Sequence, residues 1–484
     1  MLKPKPLTAL LLAVLTFVLP PSVLAQGVIF LDNMEEPVPE PLFPVDAGGS
    51  PALPDGATTR ALNWFLAQTV PGVVPSDQDI QDNFTDNFIA SQSINGLRDF
   101  LLSVQTNYPN ARVTDLIGIS PLQFNGLITG SNGNEAFVVL GASFTTDKIS
   151  QLSVSFFGTG GGGVITVDDL NLTLEQAADK FMTLSTEAGL LLARVNRQTN
   201  QCEPVLERDA ATLRATASVF KIFSLGAVAD AIQDRTITTD QLIPRVDEER
   251  TPGGPLINEP DGTLLTVDEL ATLMLSLSDN TATDLLHELV GRERLNRLVG
   301  ELGHSTPDAI TPFLKTGEQF HLLNTFSLVQ AESYQNGTEQ FQADFVVNQI
   351  EPLGNFVDNR GNVNNTSVYT TVTWRASPRD VCQALAAHRV WPRGSDQARQ
   401  VDRALGAQAA QPNVREAWDR VWYKGGGLSI SATTQVVLTH AWLLENGGED
   451  PWVLVALSNN PGANIDQFAV QSVLGRLLQL AANL

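Results

Sequence analysis

The sequence predicts an α+β chain, with a small α+β domain at residues 60–157 followed by a larger domain at 165–484 that is built on an antiparallel sheet. Three observations predict it. Helical spacing gives way to strand patterns within 60–157, a glycine tract breaks the pattern at 158–163, and strand patterns stand at both ends of the remaining chain with helical patterns between them. A chain of 484 residues is also too long for one ordinary domain.

At the N-terminus, Lys3 and Lys5 precede an apolar run from Leu7 to Leu19, a Pro20-Pro21 break and the small or apolar residues Val23-Leu24-Ala25. The run is shorter than the roughly 20 apolar residues that span a bilayer, so residues 1–25 read as a signal peptide cleaved near Ala25. The mature protein is expected to be exported, periplasmic or extracellular, and to keep no stable membrane anchor. Residues 26–59, rich in proline, glycine and acid, read as a tether.

In the first domain, Ile80, Phe84, Phe88, Ile89, Ile94, Leu97, Phe100, Leu101 and Val104 recur at helical spacing. Val113–Ile119, Phe124–Gly130, Glu135–Phe144 and Lys148–Phe157 follow as strands, separated by turn residues. The tract Gly158–Gly163 spells a dinucleotide fingerprint, but Val164-Ile165-Thr166-Val167 follows where a helix would have to begin. It reads as a linker, 158–164.

The second domain opens with a helix near Leu174–Ser185 and a strand pair, Gly189–Asn196 and Glu203–Arg208. It closes with strands at Tyr423–Ile430, Gln435–Leu444 and Trp452–Ser458 and a helix from Asp466 to Leu480. Two strands at the start, three near the end and helices between imply one antiparallel sheet fed from both ends of the domain.

Composition excludes several classes. The chain carries 53 acidic against 30 basic residues, a formal charge of -23, which repels phosphate backbones and anionic membranes; no nucleic-acid partner is expected. Cys202 and Cys382 are the only cysteines, too few for a disulfide scaffold or a multi-cysteine metal site. One bridge, or two buried thiols, both remain open. The five histidines form no metal-binding pattern and no Gly-x-Ser-x-Gly elbow is present, so neither a metal nor a cofactor is implied.

Chemistry concentrates in three short motifs. Ala217-Ser218-Val219-Phe220-Lys221 opens an amphipathic helix, and residues three apart share a helix face. A serine needs a base to become a nucleophile, and a desolvated lysine can serve. Sixty residues on, Ser278-Asp279-Asn280 supplies a second hydroxyl to relay a proton, an acid that braces its loop and an amide able to hold a substrate carbonyl. Tyr423-Lys424-Gly425-Gly426-Gly427 then starts a strand pair, with Lys424 as positive charge beside the nucleophile and glycines that let substrate lie along the strand, the Gly427 amide serving as an oxyanion donor. Lys315-Thr316-Gly317 is a decoy, because a helical pattern follows it.

In this order the motifs resemble the Ser-x-x-Lys, Ser-Asp-Asn and Lys-Thr-Gly set of class A β-lactamases and penicillin-binding proteins. The resemblance covers about Ile165–Leu484 and implies a five-stranded sheet with a helical subdomain, and an acyl-enzyme on Ser218. Lys221 would be the base, Ser278 and Lys424 would relay and stabilise, and Asn280, Gly425, Gly426 and Gly427 would bind substrate. The implied substrate is a small β-lactam, an ester or a cell-wall-like molecule; the alternative is a weak or inactive β-lactam- or peptidoglycan-binding protein. The layout of 60–157 resembles the NTF2-like, steroid-isomerase-like domain joined to such hydrolases in clavulanic acid clusters. Two departures stand out. Gly425 replaces the usual threonine or serine, and no Glu-x-x-Leu-Asn element follows the second motif, which leaves Glu318 as the nearest acid for deacylation.

Overall fold

Between Arg112 and Phe156 the chain forms a four-stranded antiparallel meander, β1 (Arg112–Ile119), β2 (Gln123–Thr129), β3 (Glu135–Ala142) and β4 (Ile149–Phe156), in the order β1-β2-β3-β4. This computed structural model describes residues 42–45, 49–156, 165–356, 367–431 and 433–484, which belong to a compact unit spanning Val38–Leu484. The stretches read as a signal peptide and a linker, and most of the stretch read as a tether, lie outside the described residues.

Among the described residues, four helices precede the meander: α1 (Ala57–Ala67), α2 (Asp77–Asn83), α3 (Asp86–Gln92) and α4 (Ile94–Asn107). A reciprocal capping box between Ser76 and Asp79 starts α2, and Thr85 and Ser93 cap the two that follow. Leu62, Phe65, Phe84, Leu101, Phe124, Ile128 and Leu140 close a core between helices and sheet. Each such buried side chain stabilises by about 1.5–3 kcal/mol. Helix α1 begins inside the stretch read as a tether, and Leu42, from the same stretch, lies against Gly406.

After α5 (Leu174–Met182) come β5 (Glu187–Val195) and β6 (Cys202–Arg208). Late in the chain β7 (Arg420–Ser431), β8 (Thr434–Glu445) and β9 (Trp452–Asn459) complete a five-stranded antiparallel sheet of order β7-β8-β9-β5-β6. Strand β9 is buried at every position, as the middle strand of a sheet covered on both faces must be. One face packs on α6 (Lys221–Gln233), α7 (Val267–Ser276), α8 (Asn280–Val290) and α9 (Arg292–Glu301); the other packs on α5 and the C-terminal helix. Helix α6 is apolar nearly all round and buried along most of its length, so Lys221 and Ser224 are polar exceptions inside a core helix.

Helix α10 (Thr316–Asn324) follows, so the Lys315-Thr316-Gly317 triplet starts a helix and no strand pair. Then come α11 (Pro378–Ala387), α12 (Asp396–Gly406) and the C-terminal α13 (Gln467–Ala481). Cys202 on β6 and Cys382 on α11 form a disulfide across 180 residues, which decides the alternative that the sequence left open.

The edge of β1 does not face solvent alone. Ile119 N donates to Ala407 O at 2.9 Å and Ala409 N to Ile117 O at 2.7 Å, so the segment after α12 pairs with the meander. Asp115 accepts from Asn413 N at 2.8 Å, and the buried Arg415 donates to Leu116 O at 2.9 Å. The same segment carries Gln408, Ala410 and Gln411 to the cavity described next.

Candidate active site

A single helical turn, Ala217–Phe220, leads into α6 and carries Ser218, half-buried in a cavity wall, one turn ahead of the fully buried Lys221. Ala217 holds a φ of 43°, a left-handed conformation uncommon for a residue with a Cβ, and its surroundings impose it. Thr439 of β8 donates to Thr216 O at 2.7 Å, and the place where a Gly426 Cβ would stand lies 2.6 Å from Ser218 N and 2.8 Å from Thr216 O. The turn is thus pressed directly onto the backbone of β7, and only glycine fits at 426.

Ser278 precedes α8 with a φ of 59°, and Asp279 caps that helix, accepting from Ala282 N at 2.9 Å and from Leu256 N at 2.8 Å. Lys221 Nζ donates to Ser278 O at 2.6 Å and to Asn280 Oδ1 at 2.7 Å, and lies 3.4 Å from Ser278 Oγ. Burial lowers the Lys221 ammonium to about 7, against the opposing pull of Asp279 and Asp284, while burial raises Asp279 to about 6. A neutral amine has two N–H bonds, and the two short contacts account for both.

Lys424, 2 % exposed, donates to Gly425 O at 2.6 Å. Burial, followed by repulsion from Lys221, pulls its ammonium well below the usual lysine range. Lys424 thus reaches a backbone carbonyl, where a charge facing the nucleophile was expected. Asn280 is also more engaged than expected: besides accepting from Lys221 it donates to Pro252 O at 2.6 Å, which leaves one N–H for a ligand.

Ser218, Ser278, Asn280, Lys424, Gly425, Gly426 and Gly427 all line one open cavity of about 490 Å³, with Lys221 buried behind Ser278. Glu318 is not brought to it. Its carboxylate is engaged by Arg292 at 2.6 Å and by Lys315 N at 2.7 Å at the start of α10, because it caps that helix. Among the described residues, none lining the cavity is Asp, Glu or Arg.

Sequence reasoning missed Thr439, Tyr423 as a site residue, and His440. Tyr423 Oη bonds His440 Nδ1 at 2.8 Å, and a Cβ at Gly425 would stand 2.0 Å from that hydroxyl. The tyrosine ring two residues earlier thus occupies the room a threonine or serine at 425 would need. The signal lay in register: Gly425 pairs with His440 and Gly426 with Thr439, a correspondence that a single strand's pattern does not contain.

Residues 174–340 match the family model described as "Beta-lactamase enzyme family"; this β-lactamase-like segment holds Ser218, Lys221 and Ser278–Asn280 and ends before Lys424. No curated protein matches the chain. Solved structures similar to it include a β-lactamase from Chitinophaga pinensis DSM 2588, at 15% identity over 64% of this chain and 97% of that one, with a TM-score of 0.45. A β-lactamase from Sphaerobacter thermophilus DSM 20745 is 19% identical over 64% and 96%, with a TM-score of 0.41. The structure of PBP-A is 16% identical over 63% and 95%, with a TM-score of 0.40. Among the described residues, no helix is long and apolar enough to cross a membrane.

Proposed function

We propose that this protein is an exported serine hydrolase of the β-lactamase and penicillin-binding type, acting on a β-lactam or an ester through an acyl-enzyme on Ser218. The observation that carries the reading is the convergence on one cavity of a serine at the start of a helix, a second serine within 3.4 Å of the buried lysine that stands one turn after the first, and the glycine edge of β7, with burial lowering that lysine to about 7. Ser218 Oγ attacks the carbonyl carbon and its proton passes to Lys221 Nζ. The amides of Ser218 and Gly427 stabilise the oxyanion. Ser278 returns the proton to the departing oxygen or nitrogen, and water then hydrolyses the acyl-serine. With no carboxylate among the described residues of the cavity lining to activate that water, the last step is slow.

Export is supported by the N-terminal pattern and by the Cys202–Cys382 bridge, which persists in oxidising compartments. For the N-terminal part, helices ahead of a four-stranded meander support an NTF2-like reading. A second reading, a binder that is acylated without turnover, is favoured by the same lack of an acid. Stopped-flow mixing with 4-nitrophenyl acetate and with penicillin G tests both readings. A burst of about one equivalent followed by slow turnover supports the hydrolase, a burst alone supports the binder, and no burst with either compound refutes both.

A further inference from the structure

The cavity continues past Ser218 to the other face of the sheet. Alternation along β7 turns Lys424 and Gly426 toward the Ser218 side and Tyr423, Gly425 and Gly427 away from it. Because 425–427 carry no side chains, the cavity runs over the strand edge into a lobe closed by β8 and α13. There Gln435 lies against Gly427, His440 pairs with Gly425, and Gln467 and Gln471 project from α13. The lobe is therefore built of amides and of the Tyr423–His440 pair, and its lining contains no acid and no arginine among the described residues. Two of its buried polar atoms lack a hydrogen-bond partner among those residues, His440 Nε2 and Gln471 Oε1, and His440 is only 5 % exposed. Such atoms are costly to leave unpaired, and both belong to residues that line the cavity.

We propose that this lobe is a subsite for the alcohol half of an ester whose alcohol is an uncharged polyol such as a sugar. The inference rests on the acyl-serine reading above and adds the class of substrate. Amides donate and accept at once, as hydroxyl groups do, so a polyol satisfies glutamines and the His440 ring together. A carboxylate would enter a lobe whose lining, among the described residues, holds no arginine and one lysine, Lys424, turned toward Ser218, on a chain whose formal charge is -23. In the reaction the Ser218 Oγ–acyl bond forms and the acyl–oxygen bond to the polyol breaks. The serine proton reaches the polyol oxygen through Lys221 and Ser278, and water later releases the acid.

The test compares kcat/KM for three acetyl donors in a pH-stat: glucose 6-acetate, ethyl acetate and acetoxyacetate, whose alcohol half carries a carboxylate. The sugar ester should exceed both others at least tenfold, and Gln471→Leu and Tyr423→Phe should each shrink that ratio fivefold or more. Hydrolysis that favours acetoxyacetate, or a ratio unmoved in both variants, overturns the subsite and leaves the serine reading standing. No acylation by any of the three overturns both.

Discussion

Gly426→Ala places one methyl group at the joint between the nucleophile turn and the edge strand. The added Cβ would stand 2.6 Å from Ser218 N, 2.8 Å from Thr216 O and 2.7 Å from Thr439 Oγ1. Two of these neighbours are backbone atoms and cannot swing aside, so reaching an ordinary contact of 3.4 Å forces the turn and β7 apart by about 0.8 Å. The overpacking costs about 1–3 kcal/mol of stability. Its larger effect falls on chemistry, because the two amides proposed to hold the oxyanion sit on opposite sides of that joint. Loss of alignment of that size corresponds to roughly 10²-fold in rate. The assay is the burst rate with 4-nitrophenyl acetate, measured well below the melting temperature of the variant. A burst rate within threefold of the parent would refute the argument that the Ser218 and Gly427 amides act together.

Three further outcomes follow from the geometry. Lys221 acts as a base only when neutral, and burial lowers it to about 7, so acylation should rise with pH, be half-maximal near 7 and level off above; a rate flat from pH 5 to 9 would contradict this. Cys202→Ser opens a 180-residue loop and should cost about 3–5 kcal/mol in urea denaturation, while an unchanged midpoint would show that the bridge contributes nothing. Glu318→Gln should leave the lifetime of the acyl-enzyme unchanged by mass spectrometry, since Glu318 caps α10 and bonds Arg292; a lifetime tenfold longer would return it to the site.

The parts of the fold and site that depend on local pattern were legible in the sequence. Strands with alternating or continuous apolar runs, such as Glu135–Ala142 and Trp452–Asn459, lie within a residue or two of their expected positions. Ser218 and Lys221 could be paired because one helical turn fixes their relation, and the strand character of Lys424–Gly427 separated it from the helical copy at Lys315. What was not legible depends on contacts between distant segments. Cys202 and Cys382 meet only through the packing of β6 on α11. The crowding of Gly425 by Tyr423, and the pairing of β1 with the segment after α12, are set by register between strands and loops that no single stretch encodes. Glu318 was misread because an acid near a motif in sequence also fits a helix cap, and here Arg292 and Lys315 N hold it. Lys424 is buried next to a second lysine, and both pull its ammonium below the usual lysine range, a property of depth rather than of spacing.

The most direct test of the central claim is intact-protein mass spectrometry after incubation with 4-nitrophenyl acetate and with penicillin G, on the parent and on Ser218→Ala. The account predicts one added acyl mass on the parent, which lasts long enough to be observed and maps to the peptide containing Ser218, and none on the variant. No adduct on the parent, or an equal adduct on Ser218→Ala, would contradict it.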